Sequence, residues 1–234
     1  MKLRGLLGFV AITLFLTGCG EIKPMAPEVS ADFRNSPVAI AVVAHDHKLH
    51  YNEDVYKVLW IENRANSASF EGLWDIEKDL AEGYKSQFGN FGIQSSSFHE
   101  HLGQSDFDKL KKQVALVNLL ENPDAKLTID ESIREKLAAK GLGYLLVFKQ
   151  GPLFLKAESW FDSLIMNWSS LIFVVDVKTG DTSHRTHDGM YYYYKYENSP
   201  REIELDNLAG LKQIVQTAMD AQFGPNRIPK KLGL

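Results

Sequence analysis

Cysteine is nearly absent from this sequence, because Cys19 is the only one among 234 residues. A single thiol excludes a disulfide within the chain, so the fold must be held by its hydrophobic core. About 200 residues follow this cysteine, which is enough for one good-sized domain with a core of its own.

Motifs that mark common enzyme classes are also missing. The chain contains no G-x-S-x-G, no H-E-x-x-H, no P-loop and no dinucleotide-binding glycine pattern. Ser95, Ser96 and Ser97 precede a pair of histidines, but a serine run on a strand is usually only part of that strand. Acidic residues are scattered at helix starts, where capping accounts for them. The sequence therefore predicts a protein that is not an enzyme and has no catalytic residues.

A hydrophobic run long enough to span a bilayer is absent from the N-terminus. The apolar run Leu6–Leu16 is too short for that, and it follows the basic residues Lys2 and Arg4. A basic start, a short apolar run and small residues at its end are typical of a secretory signal. Residues 1–18 are therefore predicted to be a signal peptide.

The residues Leu16-Thr17-Gly18-Cys19 resemble the lipobox of bacterial lipoproteins. The resemblance implies that the Cys19 thiol is lipidated, that the chain is cut before it, and that the new amine is acylated with a chain such as palmitate. Several acyl chains together give stable anchoring, since each buried methylene contributes roughly 0.8 kcal/mol. Gly20, rather than Asp, follows the cysteine, which by the sorting rule of many such lipoproteins implies the outer membrane, facing the periplasm. An ordinary cleaved signal with an incidental cysteine is the alternative.

An excess of basic charge is lacking as well. Without residues 1–18 the chain has 24 basic and 30 acidic residues, a net charge of −6. A nucleic-acid partner requires a basic face, so this balance argues against one. Residues 20–36 are polar with two prolines, and the segment 19–36 is predicted to be a flexible tether in front of one domain, 37–234.

Strands of buried type alternate with amphipathic helices along the domain. Val38–Ala44 is uninterrupted, apolar and β-branched, as in a strand that is covered on both faces. This alternation predicts an α/β fold, a two- or three-layer sandwich around a mixed sheet with a parallel start, an antiparallel hairpin and flanking helices. The other predicted elements are helices over 71–88, 105–117, 129–137 and 208–218, and strands over 93–98, 144–148, 171–177, from 182, and 191–196.

Two helix starts carry capping patterns. Ser105-x-x-Asp108 resembles a capping box, and Thr128-x-x-Glu131 is a full one, so helices are predicted to begin there. Gly141 stands where a left-handed C-cap belongs. Lys178–Asp181, with a glycine, predicts the turn of the hairpin.

Three short matches resemble one group of periplasmic lipoprotein domains. They are the first strand VAIAVVA, the helix end Ala139–Gly141 that leads straight into YLLVF, and the phrase Asp176-Val177-Lys178-Thr179-Gly180. The group includes the amino-terminal domain of TolB, the curli secretion channel lipoprotein and the lipoprotein activators of peptidoglycan synthases. The resemblance covers roughly residues 38–222 and departs from the group in 45–70 and 149–170. It implies a non-enzymatic protein that docks other proteins and builds envelope assemblies.

All seven histidines fall into three clusters. His45 and His47, with His50, follow the first strand, and His99 and His101 follow the strand 93–98. If those strands are parallel neighbours, both clusters lie at one sheet edge, where imidazoles suit zinc, copper or nickel. His184 and His187 are expected at the other edge. A metal site of His45, His47, His99 and His101 is thus one hypothesis, and ordinary polar loops with no cofactor are the other.

Two aromatic segments are candidates for partner docking. Trp160, Phe161, Leu164, Ile165 and Trp168 have spacings of one, three and four, which predicts one apolar stripe on a helix or helical hairpin. The stripe suits the domain's own core, a partner or the membrane surface. Tyr192 and Tyr194 share one face of a predicted strand, which suits either a half-buried strand or a docking surface.

Together these features predict an outer-membrane lipoprotein that acts as a non-catalytic binding or assembly adaptor for an envelope complex. Its partners are expected to be the membrane, through the lipid, and an envelope protein. A periplasmic lipoprotein that binds a metal or a small ligand through its histidines is the alternative, and a hydrolase is the third hypothesis.

Overall fold

Strand β1 (Val38–Val43) lies inside the sheet of the computed structural model, and all six of its residues are buried. It pairs in parallel with β4 (Ser95–Ser97) along one edge and with β5 (Tyr144–Gln150) along the other. An apolar, β-branched run suits this position, because helices cover both faces of the strand. The predicted first strand and its parallel neighbours are confirmed.

The structure describes residues 24–56, 61–117, 124–158, 163–195 and 208–234. Within this part, eight strands form one mixed sheet. The further strands are β2 (Lys48–Tyr56), β3 (Ile61–Ser69), β6 (Leu153–Glu158), β7 (Ser163–Asp176) and β8 (Thr182–Lys195). The helices are α1 (Pro27–Asn35), α2 (Ile76–Asn90), α3 (Gln104–Leu116), α4 (Glu131–Ala139), α5 (Ala209–Gln222) and α6 (Ile228–Lys231), with a 3₁₀ turn at Phe98–Glu100.

The sheet separates two hydrophobic clusters. Helices α1, α2, α5 and α6 bury their apolar side chains against what we call the first face, which carries Val38, Ile40 and Val42. Helices α3 and α4 pack on the opposite, second face, which carries Ala39 and Ala41. Alternate residues of one strand therefore supply both cores, as the pleat requires. The predicted α/β sandwich with a mixed sheet is confirmed and has three layers.

The hairpin between β7 and β8 forms at the predicted turn. Gly180 has φ of 80°, a left-handed conformation that glycine adopts without a steric penalty. The Asp176 carboxylate accepts a hydrogen bond from the Lys178 amide at 2.7 Å and closes the turn. The two strands then run antiparallel for 14 residues each, so the predicted tyrosine strand is the continuation of β8.

The outer half of the sheet is an extension that we call the arm. It consists of β2, β3, β6, residues 163–169 of β7 and residues 189–195 of β8. Strand β7 pairs along one edge first with β6 and then with β5. Gly151 lies at the junction between β5 and β6, and Ser169 approaches it so closely that a Cβ would not fit there. Apart from its β8 residues, the arm is built from the two segments, 45–70 and 149–170, that depart from the group layout.

The helix predicted between Gln150 and Ser170 is wrong, because this segment contains β6 and the start of β7. Leu155, Met166 and Trp168 are buried on the first face, whereas Ile165 lies on the second. Burial thus follows a period of two, and the helical spacing of the apolar residues was coincidental. Trp160 and Phe161 lie outside the described residues.

The flexible tether predicted for 19–36 is also wrong over much of its length, since α1 occupies Pro27–Asn35. Phe33 is fully buried, and the Tyr144 hydroxyl donates to the Asp32 carboxylate at 2.7 Å. Proline is well tolerated in the first turn of a helix, so its presence did not argue against α1. Residues 19–23 lie outside the described part of the chain.

The two predicted capping boxes do not form. Helix α3 begins at Gln104 without a side-chain cap, and α4 is capped by Asp130, whose carboxylate accepts from the Ser132 amide. Thr128 instead donates its hydroxyl to Asp181 at 2.8 Å, which ties the approach to α4 to the hairpin turn. Gly141 has φ of 75°, as predicted for the end of α4. None of the helices that the structure describes is both long and apolar enough to cross a membrane.

Candidate docking surface

The histidine clusters do not converge, although the strands before them are parallel neighbours. His47 turns towards α2, with Nε2 3.7 Å from the Glu77 carboxylate, and His50 pairs with Asp46 at 2.7 Å. His45 is exposed. The buried Glu77 carboxylate also accepts from the Ala44 amide and from Lys111. Within the first cluster, α2 therefore positions His47, and Asp46 positions His50.

In the second cluster, His99 packs against α3, on the second face of the sheet. The His99 ring packs 4.5 Å from the Phe107 ring of α3, and His101 Nε2 lies 2.7 Å from Ser96 Oγ. The residues that the structure describes contain no group of three or more His, Cys, Asp or Glu side chains placed to hold a metal ion. These contacts give no support to a metal site at His45, His47, His99 and His101, because the histidines of the two clusters engage separate partners.

Ser96 and His101 both belong to the segments considered above for catalysis or metal binding. The Ser96 hydroxyl lies 2.7 Å from the His101 imidazole. The Ser96 hydroxyl is also 3.3 Å from the Val38 carbonyl oxygen, which can only accept a hydrogen bond. The hydroxyl has a single proton, so it donates either to that carbonyl, with His101 donating to its oxygen, or to the imidazole, as a serine activated for attack does.

A buried polar network joins four elements within the first-face core. The Tyr84 hydroxyl donates to Gln222 Oε1 at 2.6 Å, Gln222 donates to Ser170, and Ser170 donates to Gln150 Oε1 at 2.7 Å. Burial raises the pKa of Tyr84 above its ordinary value, so the phenol stays neutral. The Tyr84 ring stacks on Phe148 at 3.9 Å between centroids. This network joins α2, α5, β5 and β7 where the core half of the sheet meets the arm.

The C-terminal segment is fixed to the sheet by a buried carboxylate. Asp188 of β8 is 1% exposed and accepts from Arg227 at 2.7 Å and from Lys231 at 2.6 Å. Lys231 also donates to the His187 carbonyl oxygen, and its own carbonyl accepts from the Met25 amide at 3.0 Å. Helices α1 and α6 are thereby joined to each other and to the middle of β8.

The second face of the arm carries an exposed groove, which we call the arm groove. It is lined by Phe154, Lys156, Ile165, Asn167 and Tyr191 and has a volume of about 370 Å³. The pairing register brings these residues side by side across three strands, because Asn167 pairs with both Phe154 and Tyr191, and Ile165 pairs with Lys156. Tyr191 is 70% exposed. The groove therefore combines aromatic and aliphatic surface with one cationic side chain.

Helix cover on the second face stops before the arm groove. The ammonium group of Lys149, at the end of β5, donates to the Val114 and Val117 carbonyl oxygens and so fixes the end of α3 there. Burial lowers the pKa of Lys149. Leu116, in the last turn of α3, is 83% exposed and stands at this boundary. Among the described residues, no helix packs on the second face beyond this point.

The predicted docking residues do not lie together on one surface. Ile165 lines the arm groove, but Trp168 is fully buried in the first-face core. The backbone of Tyr192 pairs with Met166 and that of Tyr194 with Leu164, in register with the first-face residues of β7. Phe154 and Tyr191 were missed as docking residues, although a period of two applied to 153–158 and 191–195 would have separated the two faces.

No family model matches this sequence, and no curated protein matches it significantly. Among solved structures, the chain is similar to lipoprotein GNA1162 from Neisseria meningitidis, with 8% identity, a TM-score of 0.38, and 77% of this chain and 98% of that chain covered. It is also similar to the C-terminal domain of LpoB from Salmonella enterica, with 9% identity, a TM-score of 0.28, and 70% and 93% covered. The structural neighbours of this α/β domain thus include a bacterial lipoprotein, but TM-scores this low carry no functional weight.

Proposed function

We propose that this protein is a non-catalytic adaptor of the bacterial cell envelope. A lipid on Cys19 anchors it to the outer membrane on the periplasmic side, and the arm groove binds an envelope protein. The lipobox-like residues Leu16–Cys19 support the anchor. The observation that supports docking most directly is that, within the described residues, the helix cover ends at Lys149 and the same sheet face beyond it presents Tyr191 to solvent.

The lining of the arm groove fits a protein partner. Exposed contiguous apolar surface on a folded domain commonly marks an interaction site, and tyrosine is enriched among the residues that dominate binding energy. Phe154, Ile165 and Tyr191 supply such surface, and Lys156 supplies a positive charge. The fitting occupant is an apolar segment of an envelope protein.

The contacts of two buried titratable side chains support a role without catalysis. The buried Tyr84 and Glu77 are engaged in contacts that hold elements together. Both groups are accounted for by the stability of the fold.

The anchor is tested with Cys19→Ser. We expect this variant to lose all incorporation of labelled fatty acid, because the thiol is the site of the first lipid attachment. It should also disappear from the outer-membrane fraction, since no other anchor is proposed. Wild-type protein processed in parallel is the control, and normal lipid labelling of Cys19→Ser would contradict the proposed anchor.

The arm groove is tested with Tyr191→Ala, using Leu73→Ala as a matched control. Both side chains are exposed to a similar degree, 70% and 72%, but Leu73 lies on a different surface. We expect Tyr191→Ala to weaken binding of the crosslinked envelope partner about 30-fold, since a central interface tyrosine contributes about 2 kcal/mol. Leu73→Ala should bind as the wild type does, and both variants should unfold at the wild-type temperature.

Two outcomes would overturn the docking proposal. Equal partner binding by Tyr191→Ala and the wild type would show that the arm groove is not the interface. Concentration-dependent self-association that Tyr191→Ala abolishes would assign the groove to a second copy of this chain. Binding affinity to the purified partner and sedimentation of the purified protein distinguish these results.

A further inference from the structure

We infer that the domain is held directly against the phospholipid surface, with the start of α1 and the α6 segment towards the membrane and the arm groove away from it. This orientation rests on the proposed lipidation of Cys19. It follows from the position at which the folded chain begins, from what that position is attached to, and from the sheet face on which it lies.

The connection between the lipid and the folded domain is short. Five residues, Gly20 to Pro24, separate Cys19 from Met25, which is buried and donates its amide to the Lys231 carbonyl. Even a fully extended chain covers no more than about 20 Å over that distance. A folded domain of this length has a radius of gyration of roughly 17 Å, so the connection is shorter than the domain is wide.

Helix α1 is firmly attached and does not extend this reach. Phe33 is fully buried against Tyr144, and the Ser30 hydroxyl donates to the Gly233 carbonyl at 3.1 Å. Lys231 in turn is held by Asp188, which is 1% exposed. The point of attachment is therefore a rigid part of the fold, and detaching α1 would expose Phe33 to water.

The attachment point also fixes which side of the domain is near the lipid. Met25, Phe33 and Ile228 belong to the first-face core, whereas the arm groove lies on the second face. The exposed residues next to the attachment point include Glu28 and Lys230, which carry opposite charges. Because these charges are opposite, the small patch is neither strongly attracted to nor strongly repelled by the lipid headgroups. The short connection is therefore what holds it near the membrane.

Proximity to lipid is tested in the full, lipidated protein reconstituted into vesicles of phosphatidylethanolamine with a minor share of phosphatidylglycerol. A photoreactive amino acid replaces Lys230 near the attachment point or, as a matched exposed control, Glu135 on α4 of the second face. We expect lipid adducts, counted by mass spectrometry, to be at least about tenfold more abundant at position 230, because an extended connection of about 20 Å limits its distance from the lipid.

A second variant controls for differences in crosslinking reactivity between positions 230 and 135. A flexible Gly/Ser insert of about 20 residues between Lys23 and Pro24 adds roughly 25 Å of reach and should lower the adducts at position 230 towards those at 135. Equal adducts at the two positions without the insert, or more at 135, would overturn the inferred orientation and leave the anchor intact. Absence of lipid on Cys19, read from the mass of the N-terminal peptide, would overturn both.

Discussion

Trp168→Ala is expected to lower the free energy of unfolding by about 3–5 kcal/mol, the usual cost of removing a fully buried tryptophan. Trp168 is among the largest side chains with no exposure, and it lies in the first-face core of the arm with Leu155 and Met166. For a domain of this size the loss corresponds to a fall of roughly 10 °C in Tm. Thermal and denaturant unfolding measure it.

Tyr191→Ala is the control for this prediction, because Tyr191 lies on the neighbouring strand β8 and on the opposite sheet face. An exposed side chain away from buried contacts contributes within about 0.5 kcal/mol to stability. Loss of partner binding without loss of stability in Trp168→Ala would contradict the assignment of Trp168 to the core.

Asp188→Asn is expected to cost about 3 kcal/mol of stability. The carboxylate is almost fully buried, and its replacement by an amide leaves the cations of Arg227 and Lys231 facing each other without a counter-charge. Breaking a buried ion pair typically costs 3–5 kcal/mol, and the lower end applies because both cations retain partial contact with water.

Hydrogen exchange should show where that loss falls. We expect faster exchange over 24–36 and 225–234 in Asp188→Asn, since Lys231 connects both segments to β8. Asp220→Asn is the control, because Asp220 is an exposed carboxylate that accepts only from the glutamines Gln87 and Gln216. Equal stability of the two variants would contradict a structural role for Asp188.

The core half of the fold could be predicted from the sequence because its local signals agree with its burial. Val38–Val43 is apolar at every residue, which matches a strand covered on both faces. Gly180 stands in the turn where positive φ is needed. At residues of this kind the local sequence follows directly from burial or from turn geometry, so the sequence pattern predicts the structure correctly.

The arm could not be predicted in the same way, because its two faces differ and its apolar residues fit two periods at once. Leu164, Ile165 and Trp168 satisfy helical spacing, whereas burial of Met166 and Trp168 but not Ile165 follows the strand period. Pairing of these β7 residues with β6 and β8 decides between the two periods, and the spacing within the segment does not contain that information. The arm groove was missed for the same reason.

Helix α1 depends on a contact across 203 residues, and the Asp188 cluster depends on contacts across 39 and 43 residues. Ser30 bonds to Gly233, and Asp188 bonds to Arg227 and Lys231. A polar segment with prolines resembles a linker until its distant partner is known.

The length of β7 and β8 has a mechanical consequence. Both strands run from the core half of the sheet to the arm, paired in one register from Ser163 with Lys195 to Val174 with His184, and the register shifts only between Val174 and Val175. Antiparallel hydrogen bonds lie perpendicular to the strands, so a pull along one strand loads all of them together in shear. Tension from a bound partner would thus be shared along the whole ladder, and at the anchored end it would meet the few bonds that hold α1.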